Sequence, residues 1–180
     1  MAAAVLALSA SAQNLKFAHV HFNELVMLMP EADAARAQME ASQKEAQETY
    51  QTMVEEYQTK AQKFQQNQAT WTAAIKESKQ KELADISNRI QEFDQSIQQE
   101  LQQQQSQLMA PIQQKAIEAV NTLAKEGGYI YVFEESSLLY IDKAQSTDLT
   151  PAARKALNIP DGRTLETLSQ ELQAKAQMAE

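Results

Sequence analysis

The two histidines are the residues whose type and spacing first suggest chemistry. His19 and His21 fall in Lys16–Phe22 (KFAHVHF), where the alternation of side-chain character predicts a β-strand. Residues two apart on a strand share a face, so both imidazoles could bind one metal ion. The sequence offers no evident third ligand. We therefore interpret both as packing or surface residues, and predict no metal site and no cofactor.

Carboxylates are abundant, but the arrangements that usually mark a catalytic site are missing from the sequence. It contains no Walker-type phosphate loop, no G-x-S-x-G and no H-E-x-x-H. Cys is absent, which removes thiolate nucleophiles, disulfides and most structural zinc arrangements. We therefore predict a protein that is not an enzyme. The net charge of -8 also predicts no nucleic-acid partner, because binding phosphates requires a basic surface.

Lysines are concentrated in residues 60–81, which we call the tip. Glu77 is the single acidic residue there, whereas the flanking residues 31–59 and 82–110, which we call the shaft, are rich in Asp and Glu. A basic tip could bind an anionic membrane surface or acidic client segments, although such a cluster is also typical of a solvated helix face. The candidate tip contacts are Lys60, Lys63, Trp71, Lys76, Lys79 and Lys81.

A long Gly- and Pro-free stretch must position the tip. From Glu31 to Ala110 the chain has neither residue, which argues against turn-rich β-sandwich and doubly wound folds. Apolar residues at steps of three and four predict coiled-coil helices. Two such seams predict an antiparallel hairpin over 31–110, with the chain reversal between Asn67 and Lys81. Pro111 is predicted to interrupt and kink the returning helix.

Short strands are predicted on both sides of this hairpin. Lys16–Phe22 is the first, and Asn23 is a plausible cap for a helix over residues 24–29. Gly127 and Gly128 predict the end of the returning helix, before the strand at residues 129–133 (YIYVF). Residues 138–141 (LLYI) are expected to be its hairpin partner.

The C-terminal part is predicted to be helical. Thr150 is the expected cap of a helix that ends near Leu157, with Pro151 in its first turn. Thr164 should cap a final amphipathic helix. This helix lies in a C-terminal extension, residues 161–180, which we expect to be loosely attached.

One chain supplies too few strands for a stable sheet. We assign residues 13–30 and 111–160 to a β-body, whose three short strands are marginal alone and leave edges open for pairing. A symmetric trimer with one shared β-body would solve both problems. The residues predicted to build this trimer body are Val20, Phe22, Ile130, Val132, Leu139 and Ile141.

The N-terminus resembles an export signal. Residues 2–8 (AAAVLAL) form a short apolar run, and Ala10 and Ala12 fit a signal-peptidase site with cleavage before Gln13. We predict that residues 1–12 are a signal peptide truncated at its start; a frayed Ala-rich helix is the alternative. No other segment reaches the roughly 18–20 apolar residues that a transmembrane helix requires.

The order of these features resembles the Skp/OmpH family of periplasmic chaperones, over about residues 16–157. The resemblance is carried by Met29-Pro30-Glu31, the Gln-rich hairpin, Leu108-x-x-Pro111-Ile112, Ala116-Ile117, Ala124-Lys125-Glu126-Gly127-Gly128-Tyr129-x-Tyr131-Val132-Phe133 and Asp148-Leu149-Thr150. Its most specific part is the passage from the Pro-containing helix into the Gly-Gly-Tyr strand.

The resemblance implies a mostly helical α+β fold, in which a long antiparallel coiled-coil hairpin projects from a small β-body that forms a jellyfish-like homotrimer. It implies an ATP-independent periplasmic holdase whose partners are unfolded outer-membrane β-barrel proteins. The best-known members are basic, whereas this chain is acidic. Two alternatives stay open: a structural coiled-coil protein of the cell envelope, and a cytoplasmic prefoldin-type chaperone, which cleavage before Gln13 would exclude.

Overall fold

The computed structural model describes residues 15–179, and these divide into two compact units. The body unit comprises residues 15–29 and 114–179, and the helix-pair unit comprises residues 30–113. The expected signal peptide and its cleavage site lie outside the described residues. The elements are β1 (Lys16–Val20), α1 (Phe22–Leu28), α2 (Pro30–Asn67), α3 (Ala73–Gly127), β2 (Tyr129–Glu134), β3 (Ser146–Asp148), α4 (Thr150–Ala156) and α5 (Leu165–Ala179).

The two long helices make the described chain mostly helical. Helix α2 begins at Pro30, where the missing N–H leaves no intrahelical hydrogen bond unmade. After the break at residues 68–72, Thr72 caps α3: its hydroxyl accepts a hydrogen bond from the backbone N–H of Ile75 at 3.4 Å. This break falls inside the interval in which the sequence predicts the reversal. No helix of the described residues is long and apolar enough to cross a membrane.

The predicted interruption at Pro111 is wrong. Helix α3 is helical throughout, with Pro111 inside it. A proline removes one backbone hydrogen bond, and the regular bonds of the turns on both sides maintain the helix. A kink at Pro111 stays a prediction.

The end of α3 confirms the predicted glycine signal. Gly128 has a φ of 68°, in the left-handed region, and its N–H donates to the Lys125 carbonyl at 3.2 Å. A Cβ at Gly127 would lie 2.1 Å from the Tyr129 ring. Glycine at these two positions therefore allows the chain to leave the helix directly into β2.

The sheet has three parallel strands, in the order β2-β1-β3. Ala18 of β1 is in register with Val132 on one side and Thr147 on the other. Parallel neighbours require a crossover connection. The crossover from β1 to β2 contains α1, α2 and α3, so along the sequence both long helices fall between two strands that are hydrogen-bonded to each other.

The predicted hairpin between β2 and residues 138–141 is wrong. After β2 the chain makes a 3-10 turn (Glu135–Ser137), residues 138–141 form no strand, and β3 pairs with β1 instead. A strand needs a hydrogen-bonding partner as well as a suitable composition. Leu139 is 108% exposed and Tyr140 is 81% exposed, so the described chain leaves these two side chains uncovered.

The start of α1 also differs from the prediction. Strand β1 ends two residues earlier than expected, and α1 begins at Phe22, so Asn23 is not its cap. The N–H of Phe22 donates to the Glu134 carboxylate at 2.6 Å, and the N–H of His21 donates to the Thr150 hydroxyl at 3.0 Å. The side chains of Glu134 in β2 and Thr150 in α4 thus accept the hydrogen bonds that a local capping residue would otherwise accept.

Thr150 is not the cap of α4: the N-cap position is Leu149, where no side chain makes a capping hydrogen bond. Thr150 is the first helical residue, and its N–H donates to the Asp148 carboxylate at 2.8 Å. Burial disfavours ionisation of Asp148, but the hydrogen bonds from Thr150 outweigh it and hold the Asp148 pKa below its usual value. The Thr150 hydroxyl instead accepts a hydrogen bond from the N–H of His21, the residue before α1.

The final helix is attached more firmly than expected. Thr164 caps it as predicted, with the Thr167 N–H donating to the Thr164 hydroxyl at 3.1 Å. Helix α5 contacts α1, and Leu168 is 3% exposed. The Arg154 guanidinium donates to Glu24 of α1 at 2.9 Å and to the Pro160 carbonyl at 3.3 Å. These contacts join α1, α4 and the segment before α5.

We predict that Leu168→Ala lowers the free energy of unfolding by about 2–4 kcal/mol, because it leaves a cavity between α5 and its neighbours. Leu165→Ala is the matched control: Leu165 lies on the same helix but is 43% exposed, so its replacement should cost less than about 1 kcal/mol. Urea unfolding at one protein concentration measures both. Equal costs would show that α5 is not docked in solution.

Candidate functional site

The tip contains an aromatic pair, Phe64 and Trp71, at the break between α2 and α3. Trp71 lies in the break and packs edge-on against Phe64 of α2, with ring centroids 5.8 Å apart. Both side chains are half-buried. Trp71 also lines a groove of about 500 Å³, together with Leu83 and the charged residues Glu55, Glu56, Lys60, Lys63, Lys79 and Glu82.

Ion pairs join α2 to α3 next to this groove. Lys60 of α2 donates a hydrogen bond to Glu82 of α3, and Lys79 pairs with the same carboxylate at 2.8 Å. Further along, Arg89 of α3 pairs with Glu56 of α2 at 2.9 Å. The hydrogen bond from Lys60, reinforced by Lys79, lowers the pKa of Glu82 to about 2. The same hydrogen bond raises the pKa of Lys60.

The tip lysines are therefore not equivalent. Lys60 and Lys79 are held by Glu82, which lies just outside the tip. Lys63, Lys76 and Lys81 form no ion pair within residues 15–179. Three of the five predicted cations are thus available to a partner. Composition could not show this difference, because Lys60 pairs across from α2 to α3, whereas Lys79 pairs within α3.

The body unit exposes an apolar surface along β2. Ile130 is 47% exposed, Tyr131 60% and Phe133 40%. Because neighbouring strand residues point to opposite faces, neither face of β2 is fully covered by the described chain. A groove of about 410 Å³ lies beside the strand, lined by residues including Phe22, Ile117, Val120, Tyr129, Ile130 and Val132.

The predicted trimer-body residues have different environments. Val20 is buried within the body unit at 3% exposure, and Phe22 is half-buried at the start of α1 and not on a strand. Ile130 and Val132 line the groove beside β2. Leu139 and Ile141 lie in the strand-free segment, the first exposed and the second half-buried.

Sequence reasoning missed the aromatic residues of this surface. Phe17 stacks on Tyr131, with ring centroids 6.4 Å apart, and Tyr131 contacts Phe133 at 5.9 Å. The run YIYVF contained the signal, but only its Ile130 and Val132 were predicted to build the trimer body. The aromatic residues occupy the alternate positions of the same strand.

The histidines participate in packing and hydrogen bonding. His19 is 2% exposed, and its Nδ1 lies 2.8 Å from the Ser146 hydroxyl. The Nε2 atom of His21 lies 2.7 Å from the Glu135 carboxylate, and that of His19 lies 3.7 Å from it. Within residues 15–179, no group of three or more His, Cys, Asp or Glu side chains could hold a metal ion.

Comparisons with a family model and with a known protein identify the same family for this chain. The chain matches the model of the OmpH family, described as "Outer membrane protein (OmpH-like)", over residues 16–157. It is 29% identical over 149 residues to "Chaperone protein Skp" from Yersinia enterocolitica, an alignment that covers 81% of this chain and 87% of the relative.

A solved structure of an OmpH-like protein from Caulobacter crescentus CB15 has the same fold. The TM-score is 0.70 at 14% sequence identity, covering 80% of this chain and 84% of the other. The family match spans the residues that carry the resemblance noted in the sequence, and more than half of the chain. This protein therefore belongs to the OmpH-like family.

Proposed function

We propose that this protein is an ATP-independent periplasmic holdase, which binds unfolded outer-membrane β-barrel proteins and prevents their aggregation. The match to the OmpH-like family over residues 16–157 carries the proposal. The Yersinia relative is named a chaperone, which favours this function over a purely structural envelope coiled coil. The proposal needs no catalytic group, and it places the protein in the periplasm after cleavage before Gln13.

The long helices are proposed to form an antiparallel coiled-coil hairpin. Three contacts between side chains of α2 and α3 support this arrangement. Ser42 contacts Gln104 at 2.9 Å, Glu56 contacts Arg89, and Lys60 contacts Glu82. As the residue number rises along α2, the number of its partner on α3 falls, as it does in an antiparallel pair.

The body unit is proposed to form a homotrimer. The exposed side chains of β2 and the adjacent groove are apolar surfaces of the kind that interfaces cover. Strands β2 and β3 each have one edge that is unpaired within the described chain. A second copy that lies against β2 and residues 138–141 would cover the apolar surface and pair the open strand edge. A closed ring of copies would leave no edge unpaired.

Client retention is proposed to come from many weak contacts. The helix-pair unit exposes large apolar side chains to at least 37% of their surface: Tyr50, Tyr57 and Ile75. Each can contribute only a small contact, but several hairpins acting together raise the effective concentration of binding sites around one client. Release then needs no nucleotide, since folding of the client into the membrane removes the bound species.

The titration of Glu82 tests the proposed hairpin. Because hydrogen bonding to Lys60 depresses its pKa to about 2, the pairing contributes stability above the usual glutamate pKa and loses it as the pH falls toward 2. Carboxyl-carbon NMR should show this low midpoint, and Lys60→Gln should raise it. Lys76→Gln is the control. An unchanged Glu82 midpoint in Lys60→Gln would contradict the pairing of α2 with α3.

Contact of the tip with anionic membranes is proposed to depend on its unpaired lysines. Changing Lys63, Lys76 and Lys81 to Gln should weaken binding to phosphatidylglycerol vesicles, by about 1 kcal/mol per lysine near a charged surface. Co-sedimentation, with phosphatidylcholine vesicles for comparison, measures the effect. The variant carries Lys63, Lys76 and Lys81 as Gln; its matched control carries Lys44, Lys143 and Lys155 as Gln. Equal losses in both would indicate that the tip is only a solvated helix face.

Holdase activity is tested by diluting a urea-unfolded outer-membrane β-barrel protein into buffer with or without this protein. We expect light scattering from aggregates to be largely suppressed, without ATP, at about one trimer per client. Bovine serum albumin at equal mass is the control for nonspecific protection. Aggregation that proceeds unchanged at excess trimer would leave the structural coiled-coil function as the better reading.

A further inference from the structure

Unpaired charges are segregated along the helix-pair unit. Each cation of the shaft has a carboxylate partner: Arg36 with Asp33, Lys44 with Glu48 and Arg89 with Glu56. Seven exposed shaft carboxylates form no ion pair within residues 15–179, namely Glu40, Glu45, Glu55, Asp85, Glu92, Asp94 and Glu100. The shaft therefore presents negative charge that the chain itself does not neutralise.

Two of these carboxylates lie at a groove between α2 and α3. The groove has a volume of about 310 Å³ and is lined by Glu45 and Glu100 together with Ala46, Phe93, Ile97, Leu101 and polar neighbours. Phe93, Ile97 and Leu101 are half-buried, whereas both carboxylates are exposed. The groove thus combines an apolar floor with an acidic rim.

We propose that this groove accepts Lys and Arg side chains of an unfolded client; this inference rests on the proposed holdase function. Such side chains have an aliphatic stem and a charged head, and they lie along apolar surface while the head stays in water. The stem would pack on Phe93, Ile97 and Leu101, and the head would pair with Glu45 or Glu100. An acidic or uncharged side chain matches only part of this surface.

The composition of the groove therefore favours one class of client segment. Segments in which basic residues alternate with apolar ones are retained, and acidic segments are repelled by the surrounding carboxylates. One exposed ion pair contributes little, so selectivity arises when several basic residues reach the grooves of neighbouring copies. Salt weakens this preference, because screening acts on exposed charges.

The test uses a fluorescent, unstructured peptide in which Arg alternates with apolar residues, and the same peptide with citrulline for Arg. Citrulline has nearly the same shape but no charge. Fluorescence anisotropy with the trimeric protein should show the citrulline peptide binding about 3- to 10-fold more weakly at low salt. The variant Glu45→Gln/Glu100→Gln should lose most of this difference.

The matched control is Glu40→Gln/Glu92→Gln, which removes two exposed, unpaired carboxylates that do not line the groove. It should keep the preference, with helicity by circular dichroism unchanged in both variants. Equal affinity of the two peptides for the unaltered protein would overturn the inference, and so would an equal loss in both variants. Protection of the β-barrel client without any Arg preference would overturn this inference alone and leave the holdase function standing.

Discussion

The hydrogen-bond ladder of β1 is the constraint on which the body unit depends. Ala18 and His19 have partners on both sides, in β2 and β3, and residues 18–20 are buried. The first strand of the chain is therefore the centre of a sheet whose other strands come after more than a hundred residues. Because the pairing is parallel, β1 and β2 need a crossover connection, and in this chain the connection contains α1, α2 and α3.

The same ladder determines which surfaces remain open. With β1 in the centre, β2 and β3 are edge strands, and β2 carries apolar side chains that are exposed on both faces. Residues 138–141 have strand-like composition but no partner. These features are the basis of the proposal that other copies complete the body unit, whereas the proposed client contacts lie on the helix-pair unit.

Elements with local signals were predicted well from the sequence. Pro30, Gly128 and Thr164 mark helix ends because the backbone geometry at those positions depends on nearby residues. Non-local features were missed: the pairing of β3 with β1, the capping of α1 by Glu134, and the docking of α5 through Leu168. The pairing of Lys60 with Glu82 was missed for the same reason, since it depends on how α2 and α3 face each other.

Sedimentation equilibrium of the mature protein at micromolar concentration is the most direct test of this account. Its central claim is that one chain leaves the β2 surface incomplete and that copies of the same chain cover it. The account predicts a single species with about three times the mass of one chain. A stable monomer at these concentrations would contradict it, because the exposed β2 surface and residues 138–141 would then be covered by no other copy.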